Sequence, residues 1–271
     1  MMHGCRAMMH RCRAMIAALG VVVAVVASGC APPIETGFLD RHIADGDRVH
    51  PYQVFVPASY QPNGTPLPVI LSLHGADERG DDGRQTRAGL GAAVRRYPER
   101  YPAIIVFPQS PRDSLLWTEQ DARVALAALE AAQQEFDTDP ARTTVTGWSR
   151  GGAAAWYLAY RYPGRFAAVL AICGFVDLGG DVPAPVVPPE DGEPFLALAT
   201  RLAHLAAWIV HGSADVVVPV EQSRRLFAVL QSAGAPVQYM EVPGAGHEIW
   251  DAAYGSDQIA RWLVAQRQSD H

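Results

Sequence analysis

The chain alternates between short apolar runs and segments whose apolar residues recur at helical spacing. From about residue 48 onward this alternation is typical of βαβ units, and it predicts one α/β domain built on a mostly parallel sheet. The predicted strands are Tyr52–Val56, Pro68–Leu73, Ala103–Phe107, Thr143–Thr146, Phe166–Ile172, Ala207–Val210 and Val237–Glu241. The predicted helices are Arg84–Arg96, Glu119–Phe136, Arg150–Arg161, Val220–Ala233 and Gln258–Gln268.

The first thirty residues have a different pattern, which is typical of a targeting segment. Arg11 and Arg13 precede an apolar run from Ile16 to Ala27 that is interrupted only by Gly20. A helix of that length rises about 18 Å, whereas the hydrocarbon core of a bilayer is about 30 Å thick. The run is therefore too short to span a membrane and predicts a secretory signal peptide.

The apolar run ends in Ala27-Ser28-Gly29-Cys30, which resembles the lipobox of bacterial lipoproteins. The resemblance implies that residues 1–29 are removed and that Cys30 is acylated. It also implies that residues 30–47 form a linker to a domain over residues 48–271. The protein would then be exported and anchored to a membrane by lipid. The alternative is an ordinary signal peptide followed by an incidental cysteine.

The charges and cysteines limit the other partners and chemistries. Three of the 22 basic residues lie in residues 1–29, so the rest of the chain carries 19 basic against 28 acidic residues. Such an acidic domain disfavours nucleic-acid binding. All basic residues are arginine, which excludes Schiff bases on a protein amine, a P-loop lysine and a Ser-Lys dyad. Beyond Cys30 only Cys173 remains, so we expect no intramolecular disulfide and a buried thiol.

The strongest chemical signal is Gly147-Trp148-Ser149-Arg150-Gly151, between a predicted strand and a predicted helix. Gly-x-Ser-x-Gly in that setting is a tight turn that holds its serine clear of the sheet in a strained conformation. The start of the helix adds positive potential where negative charge develops during acyl transfer. The pattern predicts that Ser149 is a catalytic nucleophile, and the alternative is a glycine-rich turn without catalytic function.

A serine nucleophile needs a histidine base and an acid that orients it, and in this type of domain they follow the serine in the order acid, then histidine. His247 follows the last apolar run and is the predicted base, since His211 falls at the end of its own strand and indicates a structural role. Asp215 follows the strand Ala207–Val210 and is the predicted acid. Asp177, just beyond the preceding strand, is the alternative acid.

An oxyanion hole needs two backbone N–H groups, one after the nucleophile and one from an early loop. Arg150 supplies the first, and Ala76, in Leu73-His74-Gly75-Ala76, supplies the second. We expect a structural role for His74. We expect Trp117, Trp148 and Trp250 either to line a substrate pocket or to belong to the core.

These segments together carry a family resemblance over about residues 37–268. The motifs are Leu73-His74-Gly75-Ala76 followed by Glu78-Arg79-Gly80-Asp81-Asp82, Asp139-Pro140-Ala141-Arg142 before the elbow, Trp208 to Gly212 with Asp215 to Pro219, and Gly246-His247 with Trp250 and Tyr254. They resemble α/β-hydrolase esterases labelled "predicted peptidases", relatives of feruloyl and polyhydroxybutyrate-depolymerase-type esterases. The departure is Trp148 and Arg150, where these relatives usually have Leu and Met.

The resemblance implies an α/β-hydrolase fold and hydrolysis of small-molecule carboxylic esters with short or small aromatic acyl groups. The segment from Gly179 to Leu205 is too short and too rich in Pro and Gly to form a large lid over the site. No cofactor and no metal are expected, since His247-Glu248 lacks the second histidine of a zinc-binding HExxH helix. The alternatives are a peptidase with the same triad and a non-catalytic surface lipoprotein that binds a ligand.

Overall fold

An eight-stranded sheet organises the part of the chain that the computed structural model describes, residues 35–114, 116–117, 119–179 and 185–268. The strands lie in the spatial order β1-β2-β4-β3-β5-β6-β7-β8. β1 and β2 are antiparallel to their neighbours, and all the other pairs are parallel. The strands are β1 (Gly37–Asp45), β2 (Arg48–Val56), β3 (Leu67–Leu73), β4 (Ile104–Pro108), β5 (Thr138–Trp148), β6 (Ala168–Ile172), β7 (Ala206–Gly212) and β8 (Val237–Val242).

Helices cover both faces of the sheet. They are α1 (Gly89–Arg96), α2 (Glu119–Glu135), α3 (Arg150–Arg161), α4 (Pro194–Arg201), α5 (Glu221–Ser232), α6 (Trp250–Tyr254) and α7 (Asp257–Ala265). Residues of α2, α3, α4 and α5 belong to one core cluster, and residues of α1, α6 and α7 to a second. In the described part of the chain, no helix has the length and apolar character needed to span a bilayer.

The central strands are apolar along their whole length because both of their faces are covered. Every residue of β6 and every residue of β3 after the first is buried. Strands buried on both faces have near-continuous apolar runs, and this is the pattern that made them visible in the sequence. Because β3, β5, β6, β7 and β8 run parallel, their carboxyl ends meet at one edge of the sheet.

Among the strands, β1 is the one that the sequence pattern does not predict. Its residues alternate between half-buried and exposed, and they include the polar run Asp40-Arg41-His42. β1 pairs with β2 along its full length, from Gly37 opposite Val56 to Asp45 opposite Arg48. The hairpin with β2 therefore stabilises a segment whose own periodicity is too weak to indicate a strand, and the folded domain begins before residue 48.

The predicted helix Arg84–Arg96 is divided in two. A short 3₁₀ turn covers Arg84–Thr86, and α1 begins at Gly89. Gly89 has a φ of +56°, and a Cβ there would lie 2.7 Å from the ring of Trp148. Only glycine accepts both the left-handed backbone and the close indole, so the helix is interrupted at this point.

Candidate active site

Ser149 lies in the turn between β5 and α3, at the carboxyl edge of the sheet. Its φ of 54° and ψ of −125° are strained for a residue with a side chain, and its N–H donates to the carbonyl of Ile172 at 2.8 Å. Such strain persists only where the surrounding structure enforces it. The strained turn leaves the Ser149 residue half-buried at the start of α3 rather than inside the core.

Two glycines beside Ser149 allow the backbone of β3 to approach the turn. A Cβ on Gly147 would lie 2.7 Å from the carbonyl oxygen of Leu73, and a Cβ on Gly151 would lie 2.5 Å from that of His74. Real Cβ atoms do not come so close to backbone oxygens, so any side chain here would push β3 and α3 apart. The glycines therefore fix the distance between the turn and the segment after β3.

A chain of hydrogen bonds joins Ser149, His247 and Asp215. His247 Nε2 lies 3.0 Å from Ser149 Oγ, and His247 Nδ1 lies 2.6 Å from Asp215 Oδ2. The N–H groups of Val217 and Val218 donate to Asp215 Oδ1 at 2.8 and 2.9 Å. The carboxylate is fully buried and the imidazole is 13% exposed. A hydroxyl, an imidazole and a carboxylate in this order can together transfer a proton from the serine.

The alternative acid, Asp177, lies elsewhere. Its residue is exposed and its carboxylate accepts a hydrogen bond from the N–H of Gly179 at 2.8 Å. Its backbone N–H donates to the side chain of Gln222 at 3.1 Å. The structure thus brings Asp215, and not Asp177, to His247.

Asp215 is held in its ionised form. Burial by itself raises the pKa of this carboxyl, but the hydrogen bonds from His247, Val218 and Val217 outweigh it, and the pKa lies below its ordinary value. The carboxylate is therefore charged over the whole neutral range. In that state it can orient the imidazole of His247 and stabilise a positive charge on it.

A second histidine contacts the same carboxylate. His211 Nε2 lies 3.1 Å from Asp215 Oδ2, and His211 Nδ1 lies 2.6 Å from the hydroxyl of Ser223. Burial lowers the pKa of His211. Sequence reasoning placed His211 at a strand end without a partner, and it missed this contact. The signal available was the spacing of four residues between His211 and Asp215.

The loops that carry Asp215 and His247 are packed against each other. The N–H of Ala214 donates to the carbonyl of Ala245 at 2.8 Å, and a Cβ on Gly212 would lie 2.8 Å from the carbonyl carbon of Ala245. Gly212 therefore allows the two backbones to touch. Because of this contact, the acid and the base keep a fixed separation although they are far apart in the sequence.

Cys173 lies next to the histidine loop and is buried. Its φ is 48°, and its thiol lies 3.1 Å from the carbonyl oxygen of His247, to which it donates. Burial raises its pKa to about 12, so the thiol stays protonated. Its Sγ lies within 4.8 Å of ligand-type atoms of His211 and Asp215. The hydrogen bond from the thiol links Cys173 to the loop that carries His247.

The predicted oxyanion donors lie on the two segments that the glycines bring together. Arg150 is the first residue of α3, so its N–H has no acceptor within the helix. The N–H of Ser110 donates to His74 Nε2 at 3.0 Å, so His74 Nδ1 carries the proton and donates to the carbonyl of Gly75 at 2.7 Å. In a trans peptide the N–H points away from the carbonyl, so the Ala76 N–H is directed away from His74.

The three tryptophans occupy different surroundings. Trp117 is buried beside His74 and donates from its indole to the carbonyl of that residue at 3.2 Å. Trp148 is buried, with its ring 6.1 Å from that of Trp250. Trp250 is half-buried and lies edge-on to His247, with the ring centres 5.6 Å apart. Cys30 and the signal segment 1–29 lie outside the described residues.

The family model described as "Putative esterase" matches residues 47–265. A sequence from Arthroderma benhamiae, described as an uncharacterized secreted protein, is 28% identical over 207 residues. That alignment covers 67% of this chain and 21% of the fungal sequence, so the chain spans about a fifth of that relative.

Solved structures share the fold. A thermostable esterase is 27% identical, with a TM-score of 0.72 over 85% of this chain and 63% of its own length. A ferulic acid esterase is 16% identical, with a TM-score of 0.65 over 85% of this chain and 99% of its own. The predicted α/β-hydrolase fold, with its mostly parallel sheet and helices on both faces, is confirmed.

Proposed function

The chain belongs to the esterase family and is a hydrolase, and from that premise we propose that it cleaves carboxylic esters through an acyl-enzyme on Ser149. The observation that carries the proposal is the continuous hydrogen bonding from Ser149 through His247 to Asp215. A serine in a strained turn, bonded to an imidazole that is itself bonded to a buried carboxylate, is the arrangement that activates a hydroxyl.

The reaction follows from the positions of these groups. Ser149 Oγ attacks the ester carbonyl while His247 Nε2 takes its proton. The N–H groups of Ala76 and Arg150 bind the resulting oxyanion, and each is worth roughly 3–4 kcal/mol by analogy with measured oxyanion holes. The intermediate expels the alcohol, which receives the proton from His247. Water then attacks the acyl-enzyme by the same steps, with His247 again as the base, and releases the acid.

The same triad geometry serves esters and amides, so the alternative of a peptidase differs only in the leaving group. The ester proposal is supported by the family and by the thermostable esterase that shares the fold. A non-catalytic ligand-binding protein would not need a strained serine that is hydrogen-bonded to a histidine and a buried carboxylate. Parallel assays of an ester and a peptide amide with the same acyl group will distinguish the first two.

The central test is labelling with a fluorophosphonate probe. We expect the wild type to be labelled on Ser149 and Ser149→Ala to be unlabelled, with turnover of p-nitrophenyl acetate lower by about 10⁶. Ser232→Ala, at the exposed end of α5, is the matched control and should be labelled like the wild type. A Ser149→Ala protein with a native circular dichroism spectrum and a tenth of the wild-type rate would refute the assignment.

For the acyl group, we propose short chains or small aromatic groups. The support is the short Pro- and Gly-rich excursion after Asp177, which is too small for a lipase-type lid. Each methylene accommodated is worth about 0.8 kcal/mol, or close to fourfold in specificity. Along a p-nitrophenyl ester series from acetate to palmitate, kcat/KM should peak at the short esters. A maximum at ten carbons or beyond would contradict the proposal.

For localisation, we propose export, with anchoring by lipid on Cys30. The support is the apolar run that ends at Cys30 and the fungal relative described as secreted. Two or more acyl chains anchor a protein stably, whereas one does not. We expect Cys30→Ser to move the enzyme from the membrane fraction to the soluble fraction. Wild-type enzyme that is wholly soluble and carries no lipid mass would contradict the anchor.

A further inference from the structure

His211 contacts the acid of the proposed relay, although the reaction described above does not use it. It is fully buried near the end of β7, four residues before Asp215. Its Nε2 lies 3.1 Å from Asp215 Oδ2 and 3.0 Å from the carbonyl oxygen of Val218. Its Nδ1 lies 2.6 Å from the hydroxyl of Ser223, which belongs to α5. The imidazole therefore joins the loop that carries the acid to a strand and to a helix.

The neighbours of His211 determine which of its nitrogens carries the proton. Nε2 faces a carboxylate and a backbone carbonyl, which can only accept hydrogen bonds, so the proton is on Nε2. Nδ1 then accepts a hydrogen bond from the hydroxyl of Ser223. Burial lowers the pKa of His211, which keeps the ring neutral at neutral pH. His211 is thus an uncharged donor to Asp215 in a fixed position.

Two imidazoles donate to the same oxygen of this carboxylate. His247 Nδ1 lies 2.6 Å from Asp215 Oδ2, which is the atom that His211 also contacts. A hydrogen bond to a carboxylate stabilises its charge and makes it bind a proton less tightly. Donation from His211 therefore weakens the attraction of Asp215 for a positive charge on His247.

The proposed reaction needs His247 in two charge states. The imidazole has to be neutral to take the proton of Ser149, and it is positively charged once it has done so. A carboxylate that attracts this charge too strongly would keep the imidazole of the free enzyme protonated and inactive at mildly acidic pH. The second imidazole on Asp215 moderates the attraction, while the backbone N–H groups on Oδ1 help to keep the carboxylate ionised.

The other ionisable groups around this network do not replace His211. The thiol of Cys173 donates to the carbonyl of His247, and burial raises its pKa to about 12. Glu241 lies opposite His211 on β8, and the hydrogen bond from Arg224 lowers its pKa to about 2. Neither group therefore changes its charge at mildly acidic or neutral pH. The remaining acids of the adjacent loops and of α6 are exposed to solvent: Asp177, Glu248 and Asp251.

We propose that His211 is a positioning residue of the reaction, which acts through Asp215 so that His247 is neutral, and able to accept a proton, at a lower pH than it otherwise would be. The inference rests on the proposed ester hydrolysis at Ser149. His211 does not touch the substrate in this role. It sets how strongly the acid attracts the charge of the base.

The test is the pH dependence of kcat/KM for p-nitrophenyl acetate in His211→Leu. Leucine cannot donate, so the charge of Asp215 acts more strongly on His247. The midpoint of the acid side of the profile, where kcat/KM is half of its plateau, should move up by about 0.5–1 pH unit. Well below that midpoint, kcat/KM relative to the plateau should be about 3- to 10-fold lower than in the wild type. Circular dichroism at each pH checks that the variant is folded.

Two further variants separate the hydrogen bond from the packing of the side chain. His211→Gln places an amide N–H near the position of Nε2 and should restore most of the wild-type midpoint. Ser223→Ala removes the other hydrogen bond of His211 and leaves the donor to Asp215 in place. It should lower the melting temperature but keep the midpoint of the pH profile. A purely structural role of His211 would change stability without moving this midpoint.

A measurement on the wild type does not depend on whether His211→Leu folds. Nitrogen-15 NMR of the histidine rings should show His211 neutral at neutral pH, with its proton on Nε2. A proton on Nδ1 overturns the inference, as does a folded His211→Leu whose midpoint is unmoved or moves down. A shift of equal size in Ser223→Ala also overturns it, because loosened packing would then be the cause. Absence of both ester hydrolysis and probe labelling in the wild type would instead refute the proposed function, and the inference with it.

Discussion

The acid side and the arginine side of the site hold their buried charges in opposite ways. The carboxylate of Asp215 has four partners, His247 and His211 on one oxygen and Val217 and Val218 on the other. The guanidinium of Arg150 has one described acceptor, the carbonyl of Ser114, and two buried nitrogens without any. Both groups lie at the carboxyl edge of the same sheet.

The difference shows which of the two buried groups finds all of its hydrogen-bond partners within the folded protein. A fully bonded network is rigid and stabilises the fold, whereas a buried polar group without partners costs free energy. Proteins keep such a cost mainly where function requires it. The acid side is therefore a complete hydrogen-bonded network, whereas the arginine side leaves two donors of a buried cation unused. Four changes test this comparison.

The largest effect is expected from Asp215→Asn. An amide cannot stabilise a positive charge on His247 and can hold the ring in the wrong tautomer, so turnover should fall by about 10⁴, as in a serine protease with the equivalent change. Steady-state kinetics with p-nitrophenyl acetate measure the effect. Asp177→Asn is the control and should stay within about twofold of the wild type. A greater loss in Asp177→Asn would transfer the acid role to that residue.

His211→Leu should destabilise the fold. It leaves Asp215 Oδ2 and Ser223 Oγ each short of a partner in the interior, at a total cost of about 3 kcal/mol. For a domain of this size the unfolding midpoint should fall by roughly 6–12 °C. Circular dichroism melting measures it, with His42→Leu on the exposed face of β1 as the control. An unchanged midpoint would mean that the acid side does not depend on this network.

His74→Gln should change how stability depends on pH. Burial lowers the pKa of His74 to about 3 from an ordinary value of 6.5. Below pH 6.5 His74 binds a proton in the unfolded chain but stays neutral in the folded protein. The contribution of His74 to the free energy of unfolding is therefore fully present above pH 6.5 and is lost as the pH falls towards 3. Between pH 7 and 5 this costs about 2 kcal/mol, or roughly 4–8 °C in the midpoint.

Between pH 7 and pH 5, the unfolding midpoint of His74→Gln should fall by roughly 4–8 °C less than that of the wild type, as measured by thermal melts at the two pH values. His42→Gln is the control for a histidine on the surface. If His74→Gln and the wild type show the same drop, His74 is protonated in the folded state, and its Nε2 could not accept the hydrogen bond from the N–H of Ser110.

The smallest effect, and one of opposite sign to His211→Leu, is expected from Arg150→Met. Methionine keeps most of the apolar contacts and removes a buried cation with unused donors, while Arg79 continues to donate to the Ser114 carbonyl. Stability should be unchanged or higher by up to about 1 kcal/mol. A loss of 2 kcal/mol or more would show that the guanidinium is already paired in the folded protein and that the two sides do not differ.

Much of the fold was predictable because its signals are local. The central strands are continuous apolar runs between helical patterns, and each can be recognised from its own residues. β1 could not be predicted in this way, since its stability comes from pairing with β2 and not from its own alternation. The interruption of the predicted helix at Gly89 could not be predicted either, because the indole that requires the glycine belongs to Trp148, far along the chain.

The sequence by itself determined the α/β architecture and pointed to Ser149 and His247 as members of the proposed relay, because Gly-x-Ser-x-Gly and the order of the strands constrain them within short segments. Only the tertiary structure decided between Asp215 and Asp177, joined His211 to the acid, and placed the guanidinium of Arg150 without an acceptor for two of its nitrogens. The physical reason is that hydrogen bonds depend on the direction of side chains that lie many residues apart. Ser149 and His247 are separated by 98 positions, and no local pattern specifies their distance of 3.0 Å.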